Sequence, residues 1–140
     1  MFIQSHSTTS GRVVILEDDS TVAYLYLTQV GSQAPESDAL AYMRAEPPEK
    51  ADWAENAKSG QAPLLSKDVA SSEAVIADPS EQEFSFRWSN DDHSAVLEHK
   101  GRAIALVSSR EKRGYSRAAA KDSSLVNRWS DDVYEKLFGL

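Results

Sequence analysis

Three clusters in this 140-residue chain have side chains that could do chemistry, and the richest is Arg110-Glu111-Lys112-Arg113-Gly114-Tyr115-Ser116-Arg117. Basic side chains interleaved with an aromatic ring can hold phosphate oxygens and stack on a base. The same set can dock an acidic partner. Arg110, Lys112, Arg113, Tyr115 and Arg117 are therefore the candidate binding residues. Against this stands a plainer reading, a solvated connection whose charges offset an acidic region elsewhere.

The second cluster is Asn90-Asp91-Asp92-His93, with His99 close in sequence. An Asp and a His can pair as base and orienter, or share a metal ion. These are also the residues that a four-residue hairpin turn prefers. The third is Glu17-Asp18-Asp19, whose carboxylates suit a hard cation. No EF-hand spacing follows, and strand alternation aims Asp18 away from its two neighbours. A hairpin turn explains both acidic clusters, so no metal ligand is assigned.

No catalytic residue is assigned either. The chain lacks a G-x-S-x-G elbow, a phosphate-binding P-loop and a G-x-G-x-x-G run, and its histidines are His6, His93 and His99. With no cysteine, thiolate catalysis, disulfides and sulfur-ligated zinc are excluded. No cofactor is implied.

Net charge is -7, which argues against general affinity for nucleic acid or anionic lipid. The charge is unevenly spread. Residues 1–80 carry 5 Lys/Arg against 12 Asp/Glu, whereas residues 81–140 carry 10 of each. Between 100 and 121 there are 7 basic residues against the single acid Glu111. No stretch approaches the roughly 20 apolar residues of a membrane-spanning helix. The first residues show neither a basic segment nor a signal-like apolar run, so the expected location is the cytoplasm.

The elements that must position these groups follow from periodicity. Val13-Val14-Ile15-Leu16 reads as a buried strand, and Thr21 to Thr28 as its hairpin partner across an acidic turn. Phe84, Phe86 and Trp88 alternate with polar residues and predict a strand with its aromatic face on the core. Ser94 to His99 and Arg102 to Ser108 continue a meander across the Lys100-Gly101 turn, and Tyr115 to Ala119 suggests a fourth strand. Ser130 to Phe138 predicts a helix with Ser130 at its N-cap, two Asp in its first turn and Gly139 at its end. Residues 31–82, broken by Pro35, Pro47, Pro48 and Pro63, predict a loop-rich insertion with short helices over 37–45 and 49–58. The expected fold is α+β: one domain over 1–140, with an antiparallel sheet of about five or six strands and the C-terminal helix packed on it.

The segments VVILEDDSTVAYLYL, FRWSNDDHSAVLEHKGRAIALV, KRGYSR and NRWSDDVYEKLF resemble a family of small bacterial proteins of unknown function. That family's pattern is an E-D-D turn between two strands, a W-S-x-D turn, a strand pair, R-G-Y and a final acidic helix. The resemblance covers both ends of the chain and misses most of 31–82. It implies a bacterial origin and one compact domain, and it brings no activity or ligand.

The leading functional expectation is a non-enzymatic protein-binding module of inhibitor, immunity or accessory type. One alternative is anion or nucleic-acid binding through 110–117. Another is a metal-dependent or hydrolytic enzyme using His93 with Asp91 and Asp92.

Overall fold

The computed structural model describes residues 1–50 and 60–140. It is mostly β, which corrects the α+β expectation. The strands are β1 (Phe2–His6), β2 (Val13–Asp18), β3 (Val22–Thr28), β4 (Pro35–Met43), β5 (Phe84–Trp88), β6 (Ser94–His99), β7 (Arg102–Ser108), β8 (Glu111–Ser116) and the short β9 (Asn127–Arg128). The one described α-helix, α1, spans Asp131–Phe138.

Two four-stranded antiparallel meanders, β1–β4 and β5–β8, join through a parallel pairing of β4 with β8. The sheet curls into a nearly closed barrel with β1 and β5 at its free edges. Side chains bridge those edges. Trp88 Nε1 donates to Ser5 Oγ at 3.0 Å, and Ser7 Oγ donates to Asp92 Oδ2 at 2.5 Å. Tying one edge to the other limits the unpaired strand surface that would otherwise invite association.

The expected helix over 37–45 is strand β4. Its Ala, Leu and Met content favours helix locally, but Ala39 to Met43 are buried without a break. A strand covered on both faces reads as a continuous apolar run, which local propensity cannot tell from a buried helix. The segment 60–76 supplies part of that cover, with Leu65 and Ala74 in the core and β-bridges from Val75 to Met43 and from Ala70 to Ala119. The expected helix over 49–58 lies outside the described residues except for its first two positions.

Other expectations hold. The 83–119 meander forms, although β8 takes in most of the charged connection, and Phe84, Phe86 and Trp88 pack on the main core. At the β6–β7 turn Lys100 and Gly101 both have positive φ, 52° and 81°. Helix α1 begins with Ser130 Oγ accepting from the Val133 N–H and ends at Gly139 in the left-handed region. It covers the outer face of β6–β8, where Val96, Ala103, Leu106 and Phe138 form a second buried cluster.

Gly114 decides how closely β8 lies against its neighbours. A Cβ there would collide with the Leu106 carbonyl oxygen and stand 3.0 Å from the Ala39 Cβ. The parallel β4–β8 seam therefore needs glycine on one side and alanine on the other.

Candidate functional site

The basic segment 110–117 does not form one surface. Its alternation along β8, and the turn that precedes it, distribute the five candidate residues among different neighbours. Arg110 is exposed beside Asp91, and Lys112 is exposed beside Asp38. Arg113 donates to the Ser123 carbonyl, while Asn127 Nδ2 donates back to the Arg113 carbonyl at 3.2 Å. Tyr115 packs in the cluster under α1, where burial and a hydrogen bond with Glu111 push its hydroxyl pKa up to about 12.

Lys112 and Arg113 line a cavity beside Asp38, Arg110 lines another beside α1, and Arg117 turns toward a third, which it shares with Arg102. The Arg117 Nε donates to the Ala103 carbonyl at 2.6 Å, and its guanidinium carbon lies 4.4 Å from the centre of the Trp129 ring. The nearest carboxylate, Asp131, stands 3.9 Å away. Stacking and the carbonyl bond fix the planar head in orientation. Burial first, and then the like charge of Arg102, hold the Arg117 pKa below its ordinary value.

Arg102, at the start of β7, lines the same cleft of about 330 Å3 as Arg117. Tyr42, Val75, Ile76 and Ile104 give the cleft an apolar wall, and His99 and Glu73 complete its polar lining. Arg102 Nη1 donates to Glu73 Oε1 at 2.8 Å, and both side chains are about half exposed. Exposed pairs of this kind contribute little to stability and exchange readily. His99 is held by Glu83 at 3.2 Å through Nε2, and its ring lies 4.8 Å from that of Phe84. Phe84 in turn stacks on Tyr42 at 5.6 Å. The cleft thus offers two guanidiniums on a rigid aromatic and aliphatic base, with one loosely held carboxylate between the solvent and Arg102.

Sequence reasoning reached Arg117 but not its partners. Arg102 lies in the wider basic stretch 100–121, yet nothing in the spacing links it to Arg117. The link is the hydrogen-bonded pairing of β7 with β8, which brings the start of one strand beside the end of the other. Glu73 arrives from the segment that packs against β4.

The Asn90–His93 cluster is a turn, and its side chains serve the barrel seam. Asp91 accepts from Ser89 Oγ at 2.7 Å and from the His93 N–H at 3.0 Å, bonds that hold its carboxyl below the usual range. Arg12 Nε donates to His93 Nδ1 at 2.8 Å, and Arg12 also bonds the Thr28 carbonyl and Glu36. The Glu17–Asp19 cluster divides as strand alternation requires. Glu17 and Asp19 are exposed, whereas the Asp18 side chain is fully buried and both its oxygens lie 2.8 Å from Arg44 Nη1. Tyr42 adds a bond of 2.6 Å to Asp18. Burial alone would raise the Asp18 pKa. The Tyr42, Ser20 and Arg44 donors outweigh it and leave the pKa below 3.8.

Among the described residues no three His, Asp or Glu side chains are grouped to hold a metal ion, and no helix is long and apolar enough to cross a membrane. Comparison with protein-family models, with curated proteins and with solved structures finds no match to this chain.

Proposed function

We propose that this chain is a binding protein for a small organic anion, a carboxylate or phosphate ester carrying an apolar group, held in the Arg102–Arg117 cleft. The observation that carries this reading is the convergence of two guanidiniums on one cavity with an apolar wall. Among the described residues Arg102 donates only through Nη1, to Glu73, which leaves Nε and Nη2 to face a ligand. Arg117 is pre-oriented by Trp129 and the Ala103 carbonyl, so little further order is needed on binding. The like charges of the two arginines favour an anion between them, and the apolar wall selects against a bare inorganic ion. This moves the anion-binding alternative from the whole 110–117 segment to its last residue and the partners that the fold brings to it.

Titration calorimetry with phenyl phosphate, benzoate and inorganic phosphate tests the reading. Phenyl phosphate should bind at least about tenfold more tightly than inorganic phosphate, because only it can use the apolar wall. Arg102→Gln should weaken binding by about tenfold, as expected for one charge-assisted contact. Glu73→Gln should strengthen it, since the carboxylate competes with the ligand for Arg102. Failure of both organic anions to bind at about 10 mM would overturn the proposal. So would an Arg102→Gln variant of unchanged affinity.

A further inference from the structure

The first meander carries a second pocket with the opposite chemistry. On its outer face the pairing of β1 to β4 aligns Gln4, Ile15, Tyr26 and Asp38 in one row. Tyr24 lies on the same face as Tyr26, and their rings stack at 6.1 Å with 20° between planes. The Tyr24 hydroxyl donates to the Pro63 carbonyl at 2.7 Å, which fixes its ring. Tyr24, Tyr26, Asp38, Pro63 and Leu125 line a cavity of about 240 Å3 that has no lysine or arginine among its described lining residues.

Asp38 is the group without an account. Among the described residues six carboxylates are at least half-buried: Asp18, Glu36, Asp38, Glu83, Asp92 and Glu98. Five of these accept a side-chain hydrogen bond, from Tyr42 and Arg44, Arg12, His99, Ser7 and Ser85 respectively. Among the described residues the Asp38 side chain has neither a hydrogen bond nor an ion pair. Its oxygens are still accessible, since no fully buried side-chain oxygen lacks a partner. Burial pushes its carboxyl pKa up, and nearby Lys112 offsets part of that without forming an ion pair. A partly desolvated carboxylate with no described protein partner is less favourable than one in bulk water, and a cationic ligand would offset that cost.

We propose that this pocket receives a guanidinium, the head group of an arginine. A planar cation can lie on a tyrosine face and present two N–H groups to one carboxylate, which a lysine ammonium cannot do in the same geometry. Lys112 and Arg113 share a neighbouring cavity with Asp38, whereas acidic charge lies on the tyrosine side. The Glu17 and Asp19 charges both reach Tyr26, and residues 1–80 hold the chain's excess of acid. The site lies in the other meander from the Arg102–Arg117 cleft and does not depend on it. An arginine within a polypeptide would make this face the docking surface of the expected protein partner.

The test is a titration followed by tyrosine fluorescence and by the Tyr26 amide resonance, using N-acetyl-arginine methylamide, N-acetyl-lysine methylamide and a pentapeptide with one central arginine. The arginine probe should bind several-fold more tightly than the lysine probe. Asp38→Asn should weaken it by about tenfold, the value of one charge-assisted contact. The substitution leaves no partner stranded, so the variant should fold, and its circular dichroism checks this. A gain in affinity from amino acid to peptide assigns a polypeptide source, and equal affinities assign free arginine. Equal binding of the two single-residue probes would reduce the site to unspecific surface charge and overturn the proposal. Unchanged affinity in Asp38→Asn would do the same.

Discussion

The two meanders share a strand topology and differ in what covers them. In the second, the cross-strand row Arg87, Val96, Leu106 and Tyr115 lies under α1. Val96 and Leu106 have no exposed surface, and Arg87 bonds the Tyr134 hydroxyl with its guanidinium 5.6 Å from the Tyr134 and Phe138 ring centres. In the first, no described helix lies over the row Gln4, Ile15, Tyr26 and Asp38, and Ile15 and Tyr26 are only half-buried. Where a helix is present, aromatic rings and charges find each other inside the chain. Where it is absent, Tyr26 and Asp38 are left to meet something else.

The first meander compensates from the inner side of its β2–β3 turn. Asp18, Tyr42 and Arg44 form a buried charge network there, and the terminal amine of Met1 donates to the Asp18 carbonyl at 2.9 Å. Asp18→Ala should be the most damaging change considered, costing about 3–5 kcal/mol in urea unfolding, because it strands Arg44 and the Tyr42 hydroxyl. The acid side of the stability curve reports the same network. The folded-state pKa of Asp18 lies below its ordinary 3.8, so its stabilisation is complete above that value and is lost as pH falls through the folded one. A variant with an unaltered acid profile would show that the first meander does not depend on this turn.

Truncating one phenylalanine on each outer face tests the contrast directly. Phe138 is 8% exposed, at the centre of the helix–sheet cluster, and Phe138→Ala should cost about 3 kcal/mol. Phe2 is 58% exposed, and Phe2→Ala should change stability by less than about 0.5 kcal/mol. Similar losses at both positions would mean that the first face is covered in solution, as by a second copy of the chain.

Both meanders left local signals in the sequence: the β2–β3 hairpin across its acidic turn in the first, and the β5–β7 run with α1 in the second. In the second, β5 alternates polar with aromatic residues, the turns carry Asn-Asp-Asp-His and Lys-Gly, and α1 is bracketed by Ser130 and Gly139. Each signal is local. β1 escaped notice because Phe2, Gln4 and His6 face outward and only Ile3 and Ser5 face inward, a pattern too polar to read as a strand. β4 was mistaken for helix because burial on both faces erases the period of two. The candidate site follows the same division. Arg117 was visible as part of a charge run, whereas the Arg102–Arg117 cleft and the Tyr26–Asp38 pocket arise from pairings between strands distant in sequence. Asp38 in particular falls within the expected helix over 37–45, and only the β3–β4 register sets it against Tyr26.

Asp38→Asn is the smallest and most discriminating of these changes. The Asp38 pKa is raised in the folded protein, first by burial, above its ordinary 3.8. The folded state therefore keeps a proton that the unfolded state has already released, and stability falls as pH rises from 3.8 through the raised value. Above that window the whole penalty is present. The amide carries no charge, so Asp38→Asn should be more stable than the natural chain at pH 7 and equal to it below 3.8, where both side chains are neutral. Thermal unfolding across that range measures the difference. Adding the arginine probe should then act on the gap from the other side, because a ligand that binds only the folded state stabilises it by RT ln(1 + [L]/Kd). The natural chain gains more of that term than the asparagine variant, by at most about 1.4 kcal/mol for a tenfold difference in Kd, so the gap in stability should narrow as the probe is added.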